Sequence, residues 1–232
     1  MPIEAVTLDI YGTLFDLGPV ILPATERILG EEGLEAGAVN FSGLVLHEIF
    51  LRLDRYEHDP SAGFQTIREI WSEAFGSVFD GFGVEGDVER GVDIWFELMH
   101  SISPFPDVPE AVKKIADRYK VAIISDADDE MLIPAWDKAN LPVKHVFTSE
   151  AAQAYKIHKD SKIFNMAFES LQVEPHQTVH VGDARADVIG AVNAGARVIW
   201  LARDGQTWAD NGITPTATAR DFDDVLNLLR EM

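Results

Sequence analysis

Three textures of apolar and polar residues follow one another along the chain. The first apolar stretch, Ile3 to Ile10, is a continuous β-like run. From about Val20 to Ser103 the period changes. "ILPATERILGEEG" carries apolar residues at three- and four-residue spacing and stops at glycine, and "VNFSGLVLHEIFLRLDRYEHD" repeats that spacing over a longer span. "GFQTIREIWSEAFGSVF" and "DVERGVDIWFELMHSI" follow, so the pattern predicts about four helices in succession with no strand between them. After "SPFPDVP" helices and strands alternate. "PEAVKKIADRY" is a short amphipathic helix, "KVAIISD" a strand, "EMLIPAWDKANL" a helix, "HVFTS" a strand and "SKIFNMAFESLQV" a helix. "TVHVGD" is then a strand, "ADVIGAVNAG" a helix, "RVIWLA" a strand and "FDDVLNLLREM" a helix.

Alternating apolar strands and helices predict a parallel sheet covered on both faces. The expected fold is therefore α/β: a doubly wound, Rossmann-like parallel-sheet core over 1–17 and 103–232. A helical cap over 18–102 is inserted after the first strand. Ligands of such sheets bind at the carboxyl ends of the strands, where an insert launched from the first strand would cover them.

Composition narrows the function. The 232 residues are 47% hydrophobic, normal for a globular protein, and the longest apolar runs are of strand length, far short of the ~20 residues that span a bilayer. The segment "MPIEAVTLDI" does not read as a signal peptide. There is no cysteine, which removes disulfides, thiolate metal sites and cysteine nucleophiles and fits a cytoplasmic address. Nineteen basic residues stand against 39 acidic ones, a net charge of −20 spread along the chain. Such a surface repels nucleic acid and anionic membranes. A small anionic substrate would need a locally positive pocket. Nothing in the composition speaks to oligomeric state.

The polar chemistry collects at the predicted strand ends. Strand one delivers Asp9 into the turn Tyr11-Gly12-Thr13. "VAIIS" ends at Ser125-Asp126, and "TVHVG" at Asp183, with Asp187 four residues on. Lys156 and Lys159 lie in the loop before "SKIF". Carboxylates converging on one sheet edge repel, at ~4 kcal/mol for two charges ~4 Å apart at an effective dielectric near 20, so a cation must offset them. With oxygen ligands alone, Mg²⁺ is the expected ion, with a lysine as second positive centre. The insert's His47, His58 and His100 have no ligand spacing, and its Trp71, Trp95 and Phe96 read as packing residues.

In their order these segments resemble the motifs of the haloacid dehalogenase superfamily of hydrolases: "DIYGT", "IIS" ending in Ser125, Lys156 in "YKIHKDSKIF", and "VGDARAD". The resemblance spans essentially the whole chain. It implies that Asp9 is the nucleophile, forming an aspartyl intermediate that water resolves. Ser125 would bind the transferred group, and Lys156, with Lys159 in reserve, would neutralise nucleophile and substrate. Thr13 would hydrogen-bond near the nucleophile, and Gly12 would allow the tight turn. Tyr11, Gly12 and Asp126 would face substrate. The same resemblance puts Mg²⁺ on Asp9, the Tyr11 backbone carbonyl, Asp183 and Asp187.

Two departures divide the family's activities. Its phosphatases carry a second Asp where this chain has Tyr11. Its L-2-haloacid dehalogenases have Asp-x-Tyr-Gly-Thr, as here, and dispense with metal. Those dehalogenases, however, replace the first acid of the fourth motif with serine, place an asparagine beside it, and have asparagine after the second-motif serine to meet the substrate carboxylate. Here Asp183, Ala184 and Asp126 stand at those places. They also supply a halide-binding arginine from a Trp-Arg segment, against which this chain offers Arg52 and Arg55 without that context. Weighted on the acidic residues, the expectation is a Mg²⁺-dependent phosphatase of a small phosphorylated metabolite. A metal-independent 2-haloacid dehalogenase is the alternative, and a non-catalytic interaction protein of the same fold is a third reading.

Overall fold

The structure, a computed structural model, describes residues 2–34, 37–59, 61–209 and 212–232. Strand β1 (Ala5–Leu8) and the two-residue β2 (Phe15–Asp16) lead into four consecutive helices, α1 (Gly18–Glu32), α2 (Ala38–His58), α3 (Ile67–Phe82) and α4 (Val88–Met99). The two-residue β3 (Ser103–Pro104) leads back to α5 (Val108–Ala116), β4 (Lys120–Ser125), α6 (Asp129–Ala139), β5 (His145–Thr148), α7 (Ser149–Ala152) and α8 (Lys162–Leu171). The chain ends with β6 (Thr178–Gly182), α9 (Arg185–Asn193), β7 (Arg197–Leu201), β8 (Ala217–Ala219) and α10 (Phe222–Glu231).

The sheet is parallel throughout, in the order β5-β4-β1-β6-β7-β8. The expected α/β fold with a central parallel sheet is present. β1 lies in the middle, between β4 and β6, and the chain adds strands first on one side of it and then on the other. That reversal opens a crevice at the carboxyl ends of β1, β4 and β6. The pattern did not reveal β8, a three-residue edge strand, or the β2–β3 pair. β2 and β3 run antiparallel, Phe15 opposite Pro104 and Asp16 opposite Ser103, where the chain enters and leaves the helical segment.

Successive strand residues face opposite layers. Val6, Leu8, Ile123, Val179, Val181 and Ile199 pack on the α5, α6 and α10 side, in one apolar core that continues into the helical segment through Phe41, Trp71, Phe75, Phe79 and Trp95. Ala5, Ala122, Ile124, Val198 and Trp200 pack on the other side against Phe164, Phe168 and Val188 of α8 and α9. Helix ends follow local chemistry. α1 stops at Gly33, left-handed at φ 64°, and α3 starts with a capping box in which Thr66 and Glu69 bond each other's backbone N–H. No described helix is long and apolar enough to cross a membrane.

Candidate active site

Asp9 follows the last residue of β1. Its N–H donates to the Val181 carbonyl at 2.9 Å, which carries the β1–β6 ladder one residue past the strand, and the residue is only 3% exposed. The backbone then reverses. Leu14 and Phe15 N–H both donate to the Ile10 carbonyl, and Gly12 sits at φ +84°. Glycine is required there twice over, because a Cβ would also lie 2.4 Å from Oδ2 of Asp183. The turn aims the Thr13 hydroxyl at Asp183, to whose Oδ1 it donates at 2.6 Å. Thr13 thus serves the neighbouring acid and does not bond Asp9.

Lys156 is the centre of the cluster. It is 3% exposed, and its Nζ donates to Oδ1 of Asp9 at 2.6 Å and to Oδ1 of Asp187 at 2.5 Å. Burial works against a charge on this lysine, but Asp187, Asp9 and Asp126 outweigh it and hold the ammonium well above the usual lysine range. Lys159 is exposed, so the two lysines are separated by geometry. Burial lifts Asp9 above the ordinary carboxylate range against the pull of Lys156. Burial also acts on Asp187, yet Lys156 and His180 overcome it and hold that acid at about 2. Asp183 is pushed up to about 7, by burial first and then by Asp9 and Asp187. A groove of about 360 Å³, lined by Gly12, Phe105 and Arg203 among others, reaches Asp183 from outside.

Ser125 ends β4 fully buried, and its hydroxyl has no partner; the Tyr11 hydroxyl is likewise buried and unpartnered. Burial, with Asp9 and Asp128 nearby, raises the Tyr11 phenol far above its usual range. Asp126 accepts the Lys156 backbone N–H at 2.9 Å, and burial pushes its carboxyl up to about 6. Tyr155, just before Lys156, packs on Tyr56 and Phe64 of the helical segment. Arg52 is taken up by Glu48, Glu73 and Ser77. Arg55 lies over the Tyr56 ring and donates to Gln65, while its Nε is buried without a partner. Trp71, Trp95 and Phe96 are buried packing residues, and His158 pairs with Asp160 outside the cluster.

The pattern pointed to most of this cluster but missed His180. That side chain is fully buried on β6 and sits opposite Thr7 on β1. Asp187 can only accept, so in the neutral ring Nε2–H donates to it at 3.1 Å while Nδ1 accepts from the Thr7 hydroxyl at 2.9 Å. The available signal was one polar residue inside the apolar strand "TVHVG".

Asp9, Asp183 and Asp187 bring carboxylate oxygens within 4.8 Å of one another, so the expected convergence of acids occurs. A buried acid at the centre of the parallel sheet is thus salt-bridged to a lysine from the loop before α8. The chain belongs to the haloacid dehalogenase-like hydrolase family, which matches residues 3–195. Among its relatives, the (S)-2-haloacid dehalogenase 4A of Burkholderia cepacia is 31% identical over 205 residues, 88% of this chain and 84% of its own length. The (S)-2-haloacid dehalogenase of Xanthobacter autotrophicus is 30% identical over 208 residues, 88% and 77%. An L-2-haloacid dehalogenase of solved structure has the same fold, with a TM-score of 0.84 at 20% identity, over 99% of this chain and 100% of that one.

These relatives correct two expectations. The phosphatase reading gives way, because curated relatives over most of the chain are (S)-2-haloacid dehalogenases. The assignment of Mg²⁺ to Asp9, the Tyr11 carbonyl, Asp183 and Asp187 falls with it, since the L-2-haloacid dehalogenases dispense with metal. The physical premise behind that assignment was that converging acids need a cation. The premise stands, but the expected lysine meets more of it than anticipated: its ammonium lies within 2.6 Å of both Asp9 and Asp187, and Asp183 has a hydroxyl donor.

Proposed function

We propose that the chain is a 2-haloacid dehalogenase that acts through Asp9. The observation that carries this reading is the buried Asp9 carboxylate held at 2.6 Å by the Lys156 ammonium, at the strand end that faces the inserted helices. The relatives' activity supports the choice of bond. With Oδ1 tied to Lys156, Oδ2 of Asp9 attacks the carbon that carries the halogen, and halide leaves with the bonding pair. Water then attacks the Asp9 carbonyl carbon of the resulting ester. The bond between that carbon and the ester oxygen breaks, and the 2-hydroxy acid departs with one proton while a second is released. Water can enter along the groove at Asp183.

The other residues take roles by position. The unpartnered Ser125 and Tyr11 hydroxyls are donors available to the substrate's carboxylate. Asp126 opposes that carboxylate when ionised, and its elevation to about 6 makes binding stronger on the acid side. Arg55, whose buried Nε has no partner, is assigned the halide in this reading. Residues 18–102 act as the cap that encloses the substrate. A cytoplasmic setting goes with this reading on the lack of cysteine alone.

The test is halide release from 2-chloropropionate, followed by a single turnover in ¹⁸O-water with enzyme in excess. The expected result is ¹⁸O in the Asp9 side chain and ¹⁶O in the product hydroxyl, with Asp9→Asn inactive. ¹⁸O appearing directly in the product would overturn the ester. No release from 2-haloacids at high enzyme concentration would overturn the activity.

A further inference from the structure

Asp128 occupies the position before α6 from which an acid ordinarily caps its own helix, yet its side chain makes no bond to α6. It turns instead to the helical segment. Oδ1 accepts the Ile67 N–H and Oδ2 the Arg68 N–H, both at 2.8 Å, and the residue is 2% exposed. These are the first two amides of α3, which lack partners within their own helix. The third, Glu69 N–H, is satisfied locally by Thr66. A buried carboxylate at a helix N-terminus, bonded through both oxygens, is a strong fastening.

Two further contacts land on the same turn. The Tyr155 hydroxyl donates to the Gln65 carbonyl at 2.8 Å, and Arg68 Nε pairs with Glu130 at 2.5 Å. The short stretch Gln65–Arg68 is therefore bolted both to the loop after β4, which carries Asp126, with the first turn of α6, and to the loop that carries Lys156. Burial raises the Tyr11 and Tyr155 phenols first of all, and the Asp128 carboxylate lies close enough to both to add to it.

We propose that Asp128 is a positioning residue that couples the seating of the helical segment to the loop after β4. By holding the start of α3, it fixes Asp126 and the loop that leaves Ser125 relative to Asp9 and encloses the substrate. Lifting α3 breaks two buried charge-assisted bonds and frees that loop. The kinetic consequence rests on the dehalogenase reading, whereas the coupling itself does not.

The test compares Asp128→Asn with Thr66→Ala. Both remove acceptors from the first turn of α3, but only the first lets go of the β4–α6 loop. Hydrogen–deuterium exchange is followed in peptides covering residues 65–70 and 126–130, and halide release gives KM and kcat on 2-chloropropionate. Both variants should speed exchange in 65–70. Only Asp128→Asn should also speed exchange in 126–130, by about tenfold, and raise KM by about tenfold with kcat changed far less. Tyr155→Phe removes the second bolt and should move 65–70 and KM in the same direction by a smaller factor, including if Asp128→Asn fails to fold. Equal exchange of 126–130 in Asp128→Asn and Thr66→Ala, or a Tyr155→Phe protein identical to the parent, overturns the coupling. Absence of halide release in the parent overturns the dehalogenase reading alone, and the exchange data still decide this one.

Discussion

Replacing Lys156 by methionine tests the electrostatic basis of the site. Methionine keeps an unbranched apolar stem in the same channel and removes only the charge and its donors. Asp9 and Asp187 then face each other with oxygens no more than 4.8 Å apart, both nearly or wholly buried. At an effective dielectric of about 20 the repulsion is about 3.5 kcal/mol. That agrees with the roughly 3–5 kcal/mol typical of breaking one side of a buried ion pair. For a chain of this length the melting temperature should fall by about 10 °C at pH 8. The loss is relieved by protonation. Asp9 is already raised by burial, and without Lys156 it rises further, so the folded state binds a proton that the unfolded state releases. The variant should therefore regain stability as pH falls from 8 to 5 and lose it as pH rises. The same proton blocks the nucleophile, so halide release should drop by at least about 100-fold. The assays are calorimetry across pH 5–8 and single-turnover halide release. A melting temperature within 2 °C of the parent at pH 8, with no added pH dependence, would refute the claim that this ammonium holds the acids together (about 0.5–1 kcal/mol at most).

Two more outcomes follow from named contacts. Gly190 on α9 passes so close to the Lys156 backbone that a Cβ there would lie 2.3 Å from its carbonyl oxygen, so Gly190→Ala should displace the lysine loop and cost activity of the order of 10-fold or more, read as kcat/KM with Lys156→Met as reference. Asp126 and Asp128 both stand at about 6, above the 3.8 of a free aspartate, so their contribution to stability is complete below pH ~4 and is lost as pH rises through about 6. The melting temperature should decline from pH 5 to 8, and Asp126→Asn should flatten that decline; a decline of the same depth in the variant would remove Asp126 from the account.

Much of the site was legible because strand ends are local events. An apolar run that stops at Asp9 before a glycine turn, another that stops at Ser125, and a third that stops at Asp183 each announce themselves within a few residues. A parallel sheet brings such ends to one edge whatever the strand order. Beyond the pairing of Lys156 with Asp9, what could not be read was which polar residue serves which partner. Thr13 serves Asp183, His180 serves Asp187, and Asp128 serves α3, across separations of 170, 7 and about 60 residues. Each looks like an ordinary polar residue until its partner is beside it. The expectation of Mg²⁺ in addition to the lysine failed for the same reason. Periodicity counts the acids but does not measure whether an ammonium reaches them.

The amino-acid order alone determined the alternation of strands and helices, the four-helix interruption after the first strand, and the residue types offered at the sheet edge. Those depend on side-chain period and on turn chemistry, which act over a few residues. Tertiary structure decided the strand order that places Asp9 between Ser125 and Asp183, the burial that forces Lys156 to pair with two acids, and the fastening of α3 to the loop after β4. Those depend on distance and on removal of water, and neither exists until the chain has closed on itself.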